Sequence, residues 1–273
     1  MSNLYIVATP IGNLDDISAR ALVTLQKVDL ILAEDTRTTR KLLNHYGIKK
    51  SLISFNEHNQ RKRTPFAIDA LMKGDVALVS DAGVPTISDP GQRLIAEIHS
   101  LGIRVIPIPG PTALAAALSA SGFDGGSFLF LGFLPRRKKE RHNLLSSLIS
   151  YHRTIILFEA PHRLLKTLNE LTLFWGERNI SICRELTKLY EEIYRGSLIE
   201  AISHFANPRG EFTLVVEGNK GEKETWSKVE LQTELLKLKT QEYRAKEAVE
   251  LLASLSGHSK RFIYEMWLSN HAD

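Results

Sequence analysis

The sequence predicts an α/β protein of two lobes with a small helical extension at its C-terminal end. Short apolar runs alternate with segments of helical periodicity along about the first 220 residues. A small, polar, glycine-rich stretch interrupts this alternation at residues 121–127, and lysine-rich helical patterns replace it after Gly218-Asn219-Lys220-Gly221. The chain, at 273 residues, is longer than one usual domain. The expected domains are therefore residues 1–120, 121–220 and 221–273.

The first domain is predicted to alternate strands with helices. The strands fall at residues 4–8, 30–33, 76–79 and 105–108. One helix face is formed by Ile17, Ala21, Leu25 and Val28, and another by Leu94, Ile95, Ile98 and Leu101. This alternation implies a mainly parallel sheet that is covered on both faces. In such sheets ligands bind beyond the carboxyl ends of the strands.

The second domain is predicted to be another α/β unit, and the extension to be helical. Its strands fall at residues 128–133, 154–158, 180–183, 192–194 and 212–216, with helices near 137–150 and 162–174. In the extension, helical spacing is carried by Leu231, Leu235 and Leu238, by Ala245, Ala248, Val249 and Leu252, and by residues 262–267. A turn is expected at Ser256-Gly257-His258-Ser259.

Composition indicates an ordinary folded protein that could have an acidic polymer as its partner. The hydrophobic and charged fractions are 43% and 24%, which excludes a disordered chain. The net charge is +4 and the sequence pI is about 9.1. Together with clustered basic residues, these values are compatible with binding to nucleic acid.

Cysteine usage and the apolar runs favour a soluble, cytoplasmic protein. The single cysteine, Cys183, excludes an intrachain disulfide, and its alternating apolar neighbours predict a buried thiol. The first apolar run lacks a charged leader segment, so we expect a strand there. No apolar run reaches the ~18 residues needed to span a bilayer, and no membrane association is expected.

Three turn-rich loops follow predicted strands of the first domain. They are Thr9-Pro10-Ile11-Gly12-Asn13, the segment at residues 80–91 (SDAGVPTISDPG) and the segment at residues 107–113 (PIPGPTA). Glycine permits close approach of the backbone to a ligand, and proline keeps a loop rigid. Any one loop could be an ordinary turn, but three at one sheet edge favour a ligand cleft. No dinucleotide fingerprint, P-loop or metal-ligand spacing occurs, so no metal is expected.

Charged residues also gather where strands end. They form the segments Glu34-Asp35-Thr36-Arg37, Glu159-Ala160-Pro161-His162-Arg163 and Arg184-Glu185-Leu186-Thr187-Lys188. Asp35 or Glu159 could simply cap a helix, but repetition on both sides of a cleft suggests a polar substrate. The basic run at residues 135–142 is either a solvated helix start or a contact to a phosphate backbone, with residues 60–63 as a second candidate.

Eight motifs together resemble the tetrapyrrole-methylase-like methyltransferases. They are TPIGNLDDIS (9–18), AEDTRTTRKLL (33–43), ALVSDAGVPTISDPG (77–91), PIPGPTA (107–113), GFLP (132–135), FEAPHRLL (158–165), CRELTK (183–188) and GEFTLVVEG (210–218). They run in unbroken order over nearly the whole chain. The resemblance implies a two-lobed homodimer that binds S-adenosylmethionine between its lobes and leaves S-adenosylhomocysteine as product. It further implies methylation of the ribose 2′-oxygen of cytidine-1402 in 16S ribosomal RNA.

The resemblance also implies a set of site residues. Cofactor contacts would fall on Pro10, Ala82, Gly83, Val84, Pro85, Ile87, Thr112, Ala113, Phe158, Glu159, Phe212 and Thr213. Relatives vary at the positions of Val84 and Ala160, so only backbone contacts are expected there. The candidates for handling the ribose proton are Asp35, Glu159, Arg163 and Lys188. The candidates for RNA binding are Arg37, Arg136, Arg137, Lys138, Lys139 and Arg141.

Two other functions remain open on sequence grounds. The same fold could methylate a tetrapyrrole or another small substrate, and a non-catalytic RNA-binding factor could retain a vestigial cleft. The charged segments and the basic run favour RNA, and the intact cleft loops favour catalysis. We expect the C-terminal helices to assist RNA binding as a small helix-turn-helix unit, although a cap that stabilises the second lobe or the dimer would need the same apolar residues.

Overall fold

A computed structural model describes residues 2–220, 226–240, 243–256 and 258–269. The chain divides into two compact units, Met1–Gly218 and Asn219–Asp273. The first unit contains two five-stranded sheets, and the second contains helices. The expected boundary near residue 120 therefore separates two lobes of one unit, which we call the N-terminal lobe (residues 2–121) and the C-terminal lobe (residues 122–218).

The sheet of the N-terminal lobe is entirely parallel, with the strand order β3-β2-β4-β1-β5. Its strands are β1 (Asn3–Val7), β2 (Leu30–Ala33), β3 (Leu52–Ser54), β4 (Val76–Val79) and β5 (Arg104–Ile108). The helices are α1 (Ala19–Lys27), α2 (Thr36–His45), α3 (Gln60–Leu71), α4 (Gln92–Ser100) and α5 (Ala113–Ser121), with a 3-10 turn at Leu14–Asp16. The four predicted strands and both predicted helices are confirmed.

Strand β4 shows why the sheet is covered on both faces. All four of its residues are buried. Ala77 and Val79 pack into the core on one face, while Val76 and Leu78 pack into the core on the other. Successive side chains of a strand point to opposite faces, so a central strand with two buried faces reads as a continuous apolar run.

Periodicity did not predict β3, α2, α3 or α5. Strand β3 has only three residues and lies at the sheet edge. Helix α5 has the sequence ALAAALSAS, which lacks a polar face to mark its period. It packs against the second sheet, where Ala117 lies in one cluster with Ile156, Cys183 and Val215.

The sheet of the C-terminal lobe is mixed, with the strand order β6-β7-β10-β8-β9. Its strands are β6 (Phe128–Phe133), β7 (Thr154–Glu159), β8 (Asn179–Arg184), β9 (Glu192–Ser197) and β10 (Phe212–Val216). The helices are α6 (Lys138–Ser147), α7 (Pro161–Trp175) and α8 (Leu198–His204). Strands β6 and β7 pair in parallel, and the other pairs are antiparallel. All five predicted strands and both predicted helices are present.

The C-terminal unit consists of α9 (Lys228–Thr240), α10 (Ala245–Ser256) and α11 (Lys260–Ser269). The three helices share a core that includes Leu231, Leu235, Val249, Ile263 and Trp267. These helices confirm the predicted helical extension. The turn predicted at residues 256–259 includes Gly257, which lies outside the described residues. Within the described ranges, no helix is both long enough and apolar enough to cross a bilayer.

Candidate active site

The loops at the carboxyl edge of the first sheet enclose a cavity together with residues of the C-terminal lobe. Its volume is about 570 Å³, within the usual range for small-molecule sites. The first two loops are joined by a pair of backbone hydrogen bonds, from Thr9 N to Gly83 O at 2.9 Å and from Gly83 N to Thr9 O at 3.0 Å. The lining residues are Ile11, Glu34, Asp81, Ala82, Gly83, Val84, Ile87, Ser88, Asp89, Thr112, Ala113, Phe133, Phe158, Glu159, Ala160, Pro161, His162, Cys183, Leu186, Glu211, Phe212 and Thr213.

The loop between β4 and α4 holds an unusual backbone conformation over the cavity. Two residues other than glycine have positive φ angles, Thr86 at 73° and Ser88 at 68°. Gly83 and Gly91 also have positive φ, at 80° and 129°. Positive φ at a residue with a side chain costs free energy and persists where surrounding structure enforces it, which is common at ligand sites. Two more cases, Glu185 and Thr187, lie in the loop after β8.

The two lobes meet at glycines on either side of the cavity. A Cβ atom at Gly12 would lie 2.9 Å from the carbonyl oxygen of Leu186, and the neighbouring Asn13 N donates to Thr187 Oγ1 at 3.0 Å. A Cβ atom at Gly132 would lie 2.8 Å from Ser88 Oγ. A side chain at Gly12 would clash with the backbone of the other lobe, and the φ angle of 61° at Gly132 favours glycine.

The structure brings together most of the residues expected to bind the cofactor. Of those twelve, only Pro10 and Pro85 do not line the cavity, and both are buried within the loops. The other ten line it, as does Ala160. Their role in binding remains a prediction, because position alone does not identify the ligand.

Acidic side chains dominate the charge of the cavity wall. Glu34, Asp81, Asp89, Glu159 and Glu211 line it, whereas no Lys or Arg is among the described lining residues. Asp81 N donates to Glu34 Oε2 at 3.3 Å, and Asp35 N donates to Asp81 Oδ1 at 3.0 Å, so two loops are joined by these acids.

Burial raises the pKa of three of these carboxyl groups, those of Glu34, Asp81 and Asp89. Burial, and then the charge of Glu34, raises the pKa of Asp89 to about 7. A positively charged ligand would relieve this cost by favouring the ionised carboxylates.

Glu159 is the one proton-handling candidate that lines the cavity. Its side chain is fully buried, and its oxygens accept hydrogen bonds from Ala160 N at 2.9 Å and from Thr167 Oγ1 at 2.5 Å. Arg163 Nε lies 3.2 Å from Glu159 Oε1, and Arg163 also donates to the carbonyl oxygen of Leu134 at 2.8 Å. Because the Glu159 oxygens are already engaged, this residue is suited to holding the wall in place.

Asp35 and Lys188 lie outside the cavity lining. Asp35 caps α2 by accepting a hydrogen bond from Arg37 N at 2.8 Å, and it pairs with the Arg37 guanidinium at 2.6 Å. Hydrogen bonds from that guanidinium lower the pKa of Asp35 to about 2. Asp35 is therefore a helix cap, as the alternative interpretation of this residue held. Its low pKa makes it a weak proton acceptor.

Lys188 joins two acids across the loop after β8. Its Nζ lies 2.9 Å from Glu185 Oε1 and 2.7 Å from Glu211 Oε2. Burial alone would lower the pKa of Lys188, but the hydrogen bonds to Glu211 and Glu185 raise it. The lysine is therefore a stable cation that holds Glu211 at the cavity, and it is not a proton acceptor.

The basic run expected to bind RNA divides into an exposed part and a buried part. Arg136, Arg137, Lys138 and Lys139 are all exposed at the start of α6, and Arg37 is exposed on α2. Arg141 is 3% exposed and forms a bidentate pair with Glu170, at 2.5 and 2.7 Å. Its Nη1 also donates to the carbonyl oxygens of Pro135 and Arg136, at 3.0 Å each. The expectation that Arg141 contacts RNA is therefore wrong, because its guanidinium anchors the basic run from inside.

Several lining residues were not predicted from the sequence. Glu34, Asp81 and Asp89 lie in segments that the sequence singled out, but these three side chains were not predicted to line a site. His162, Cys183 and Glu211 also stood inside the matched motifs. For Glu34, Asp81, Cys183 and Glu211 the available signal was a position at or within two residues of a strand end, whereas Asp89 lies ten residues after β4 and carried no such signal. Cys183 is buried, as expected, and burial raises the pKa of its thiol to about 11.

The sequence matches a known family over most of its length. Residues 3–202 match the family described as Tetrapyrrole (Corrin/Porphyrin) Methylases. Ribosomal RNA small subunit methyltransferase I of Halalkalibacterium halodurans is 49% identical over 97% of this chain and 94% of its own length. The protein of that name from Synechocystis sp. is 48% identical over 100% of both. The one from Thermotoga maritima is 54% identical over 80% of this chain and 99% of its own, so about one fifth of this chain has no counterpart in it.

Solved structures share the fold at low sequence identity. A uroporphyrin-III C-methyltransferase from Thermus thermophilus, complexed with S-adenosylhomocysteine, has a TM-score of 0.59 and 15% identity over 79% of this chain and 97% of its own. A diphthine synthase has a TM-score of 0.63 and 15% identity over 79% of this chain and 90% of its own. The resemblance inferred from the motifs and the expected fold class are confirmed. The chain therefore belongs to the tetrapyrrole (corrin/porphyrin) methylase family and is a methyltransferase.

Proposed function

We propose that this chain transfers the methyl group of S-adenosylmethionine to the ribose 2′-oxygen of a cytidine in small-subunit ribosomal RNA, the nucleotide called cytidine-1402. The observation that carries the proposal is a separation of charge. The cavity is acidic, and Phe133 is one of its lining residues. Four exposed cations, at residues 136–139, begin three residues after Phe133. The name shared by the similar proteins supports a ribosomal RNA substrate.

The cavity residues fit this cofactor. S-adenosylmethionine carries a sulfonium and an ammonium group, and the carboxylates of Glu34, Asp81 and Asp89 favour such a cation. The same charges would repel an RNA phosphate, so the RNA backbone belongs outside the cavity. Apolar wall residues such as Ile87 and Phe158 suit an adenine ring. Gly83 leaves room for the ligand to approach the loop backbone.

Positioning is what the described residues contribute to the reaction. The bound cofactor supplies an electrophilic methyl group. The 2′-oxygen must be held in line with that group, and correct orientation can provide much of the rate acceleration. Glu159, Arg163 and Thr167 fix the wall formed by the end of β7, and Lys188 fixes Glu211.

The basic run supports an RNA substrate because it is both exposed and held rigidly. Arg163 and Arg141 donate to the three successive carbonyl oxygens of residues 134–136, where the chain enters the run of exposed cations. These hydrogen bonds hold the backbone between Phe133 of the cavity lining and the exposed cations. Such cations bind phosphates without reading base sequence.

Labelled S-adenosylmethionine incubated with small ribosomal subunits at several assembly stages tests the proposal. We expect label in 16S RNA, on one ribose, as located by nuclease mapping. Label on a tetrapyrrole but not on RNA would instead support the small-substrate alternative. Cofactor binding by calorimetry without any transfer would support the non-catalytic alternative.

We also propose that the protein is a cytoplasmic homodimer. Large apolar side chains are exposed beside and on the edge strand β9, where Leu189 is 88%, Tyr190 70% and Ile193 46% exposed. Exposed apolar side chains that lie together commonly mark an interface. Light scattering should give about twice the chain mass of 30.7 kDa, and a monomer mass would contradict the dimer.

A further inference from the structure

Strand β6 begins with a regular alternation of side chains. Leu129 and Leu131 pack into the core beneath one face of the second sheet. Phe130 packs on the opposite face, with its ring centroid 5.0 Å from that of Phe158. Continued alternation would direct Phe133 to the leucine face, because residues separated by an even number share a face.

A β-bulge at Gly132 reverses this alternation. Phe130 pairs with Ile156, and Phe133 pairs with Phe158, so three steps along β6 match two along β7. Gly132 has a φ angle of 61°, a conformation that favours glycine. The extra residue moves Phe133 to the face of Phe130 and Phe158, where it lines the cavity. Bulges on edge strands beside active sites commonly redirect a side chain in this way.

Phe133 is held in place although much of its ring is in solvent. Its side chain is 52% exposed, and its ring packs edge-on against Phe158 at a centroid distance of 5.8 Å. The adjoining Gly132 is packed against Ser88 of the other lobe. Phe133 therefore lines the acidic cavity and also precedes the exposed cations of residues 136–139 by three residues along the chain.

We infer that Phe133 is the surface on which the base of the target nucleotide stacks. This inference rests on the proposed function. A ribose can reach a reacting group inside a cavity only if its nucleotide leaves the helical stack, and the freed base then needs a new stacking partner. An exposed aromatic ring beside basic residues is the usual platform for such a base.

Two substitutions at Phe133 separate aromatic stacking from simple apolar contact. Phe133→Leu retains an apolar side chain but removes the ring, and Phe133→Tyr retains the ring. We expect Phe133→Leu to lower kcat/KM for small ribosomal subunits by roughly 5- to 150-fold, the range expected for one lost base–aromatic stack. Phe133→Tyr should lose much less than Phe133→Leu, and in both variants cofactor affinity measured by calorimetry should change by a much smaller factor than the loss of kcat/KM in Phe133→Leu.

Phe128→Leu is the matched control, because Phe128 lies on the same strand and is 39% exposed but does not line the cavity. It should leave kcat/KM unchanged. An unchanged kcat/KM in Phe133→Leu would overturn the stacking inference but would leave the proposed function standing. Equal losses in the Leu and Tyr variants, or a parallel loss of cofactor affinity, would also overturn the stacking inference. If the unchanged protein transferred no methyl group to RNA, the proposed function would fail, and this inference with it.

Discussion

At the scale of single residues, the loop between β4 and α4 shows how backbone conformation shapes the cavity. Gly83 is buried, has a φ angle of 80° and forms both backbone hydrogen bonds with Thr9. A Cβ atom there would lie 3.5 Å from Ile11 Cγ2, which is an ordinary contact. A small side chain at position 83 would therefore cause only backbone strain. A large one would also fill part of the cavity.

We predict that Gly83→Trp abolishes binding of S-adenosylmethionine in a folded protein, because the indole must extend into the cavity. Gly83→Ala is the control for backbone strain. It should destabilise the protein by about 1–3 kcal/mol but retain cofactor binding. Calorimetry measures the affinity and urea unfolding the stability. Undiminished affinity in Gly83→Trp would remove this loop from the site.

Asp89 makes the stability of the protein without ligand depend on pH. Its pKa is raised from 3.8 to about 7 by burial and by neighbouring acids. Between about pH 4 and pH 7 the Asp89 carboxyl is largely protonated in the folded state and largely ionised in the unfolded state. The contribution of Asp89 to stability is therefore complete below about pH 4 and is lost as the pH rises towards 7.

We predict that Asp89→Asn becomes more stable relative to the unchanged protein as the pH is raised from about 5 to about 8. The asparagine stays neutral throughout, whereas the buried aspartate ionises. Urea unfolding of both proteins without cofactor, at several pH values, measures the difference. A constant difference across this range would show that Asp89 ionises at its ordinary pKa.

At the scale of elements, the start of α6 shows that one basic run can serve two purposes. Arg136 and Arg137 precede the helix, Lys138 and Lys139 begin it, and all four are exposed, whereas Arg141 is buried against Glu170. The sequence presents all five as equivalent neighbours. Helical geometry separates them because successive residues point in different directions around the axis. Only the exposed cations can exchange their counterions for phosphates.

We predict that alanine at all four of Arg136, Arg137, Lys138 and Lys139 weakens binding to ribosomal subunits and flattens its salt dependence, while cofactor affinity is unchanged. Each lost phosphate contact should reduce the slope of log affinity against log salt by roughly 0.7 to 0.9. Filter binding over a salt series measures the slope.

The matched comparison is a variant with alanine in place of Arg61, Lys62 and Arg63 of α3, which are also exposed. We expect this second set to change the slope less, because no lining residue of the cavity lies on α3. An unchanged slope in the first variant, with a reduced slope in the second, would place the RNA along α3 instead.

At the scale of the whole molecule, the cavity belongs entirely to the unit formed by residues 1–218. The segment from residue 219 to the end has nine Lys or Arg residues and nine Asp or Glu residues, so its net charge is zero. Lys260 and Arg261 lie near Glu250 and Glu265, at 3.4 and 3.0 Å. These pairings weaken the case for α11 as a phosphate contact, although its surface remains available for RNA.

We predict that a chain ending at Asn219 folds and retains its affinity for S-adenosylmethionine but methylates ribosomal subunits less well. The truncation removes no residue from the four cores of the first unit, because the helices α9 to α11 form a core of their own. Calorimetry and methyl transfer measure the two properties. Loss of cofactor binding in a folded truncation would contradict this division, and full activity would show that the helices are dispensable for recognition.

The sequence by itself determined every strand except β3, most helices and the three cavity loops, because these depend on local periodicity and on glycine and proline at strand ends. Tertiary structure decided which charges face the cavity. Glu34, Asp81 and Asp89 meet only because β2 and β4 are adjacent in the sheet. Arg141 is buried because Glu170 lies on the next helix. Phe133 reaches the cavity through a one-residue bulge, which alternation along β6 cannot reveal because strand register is set by pairing with β7.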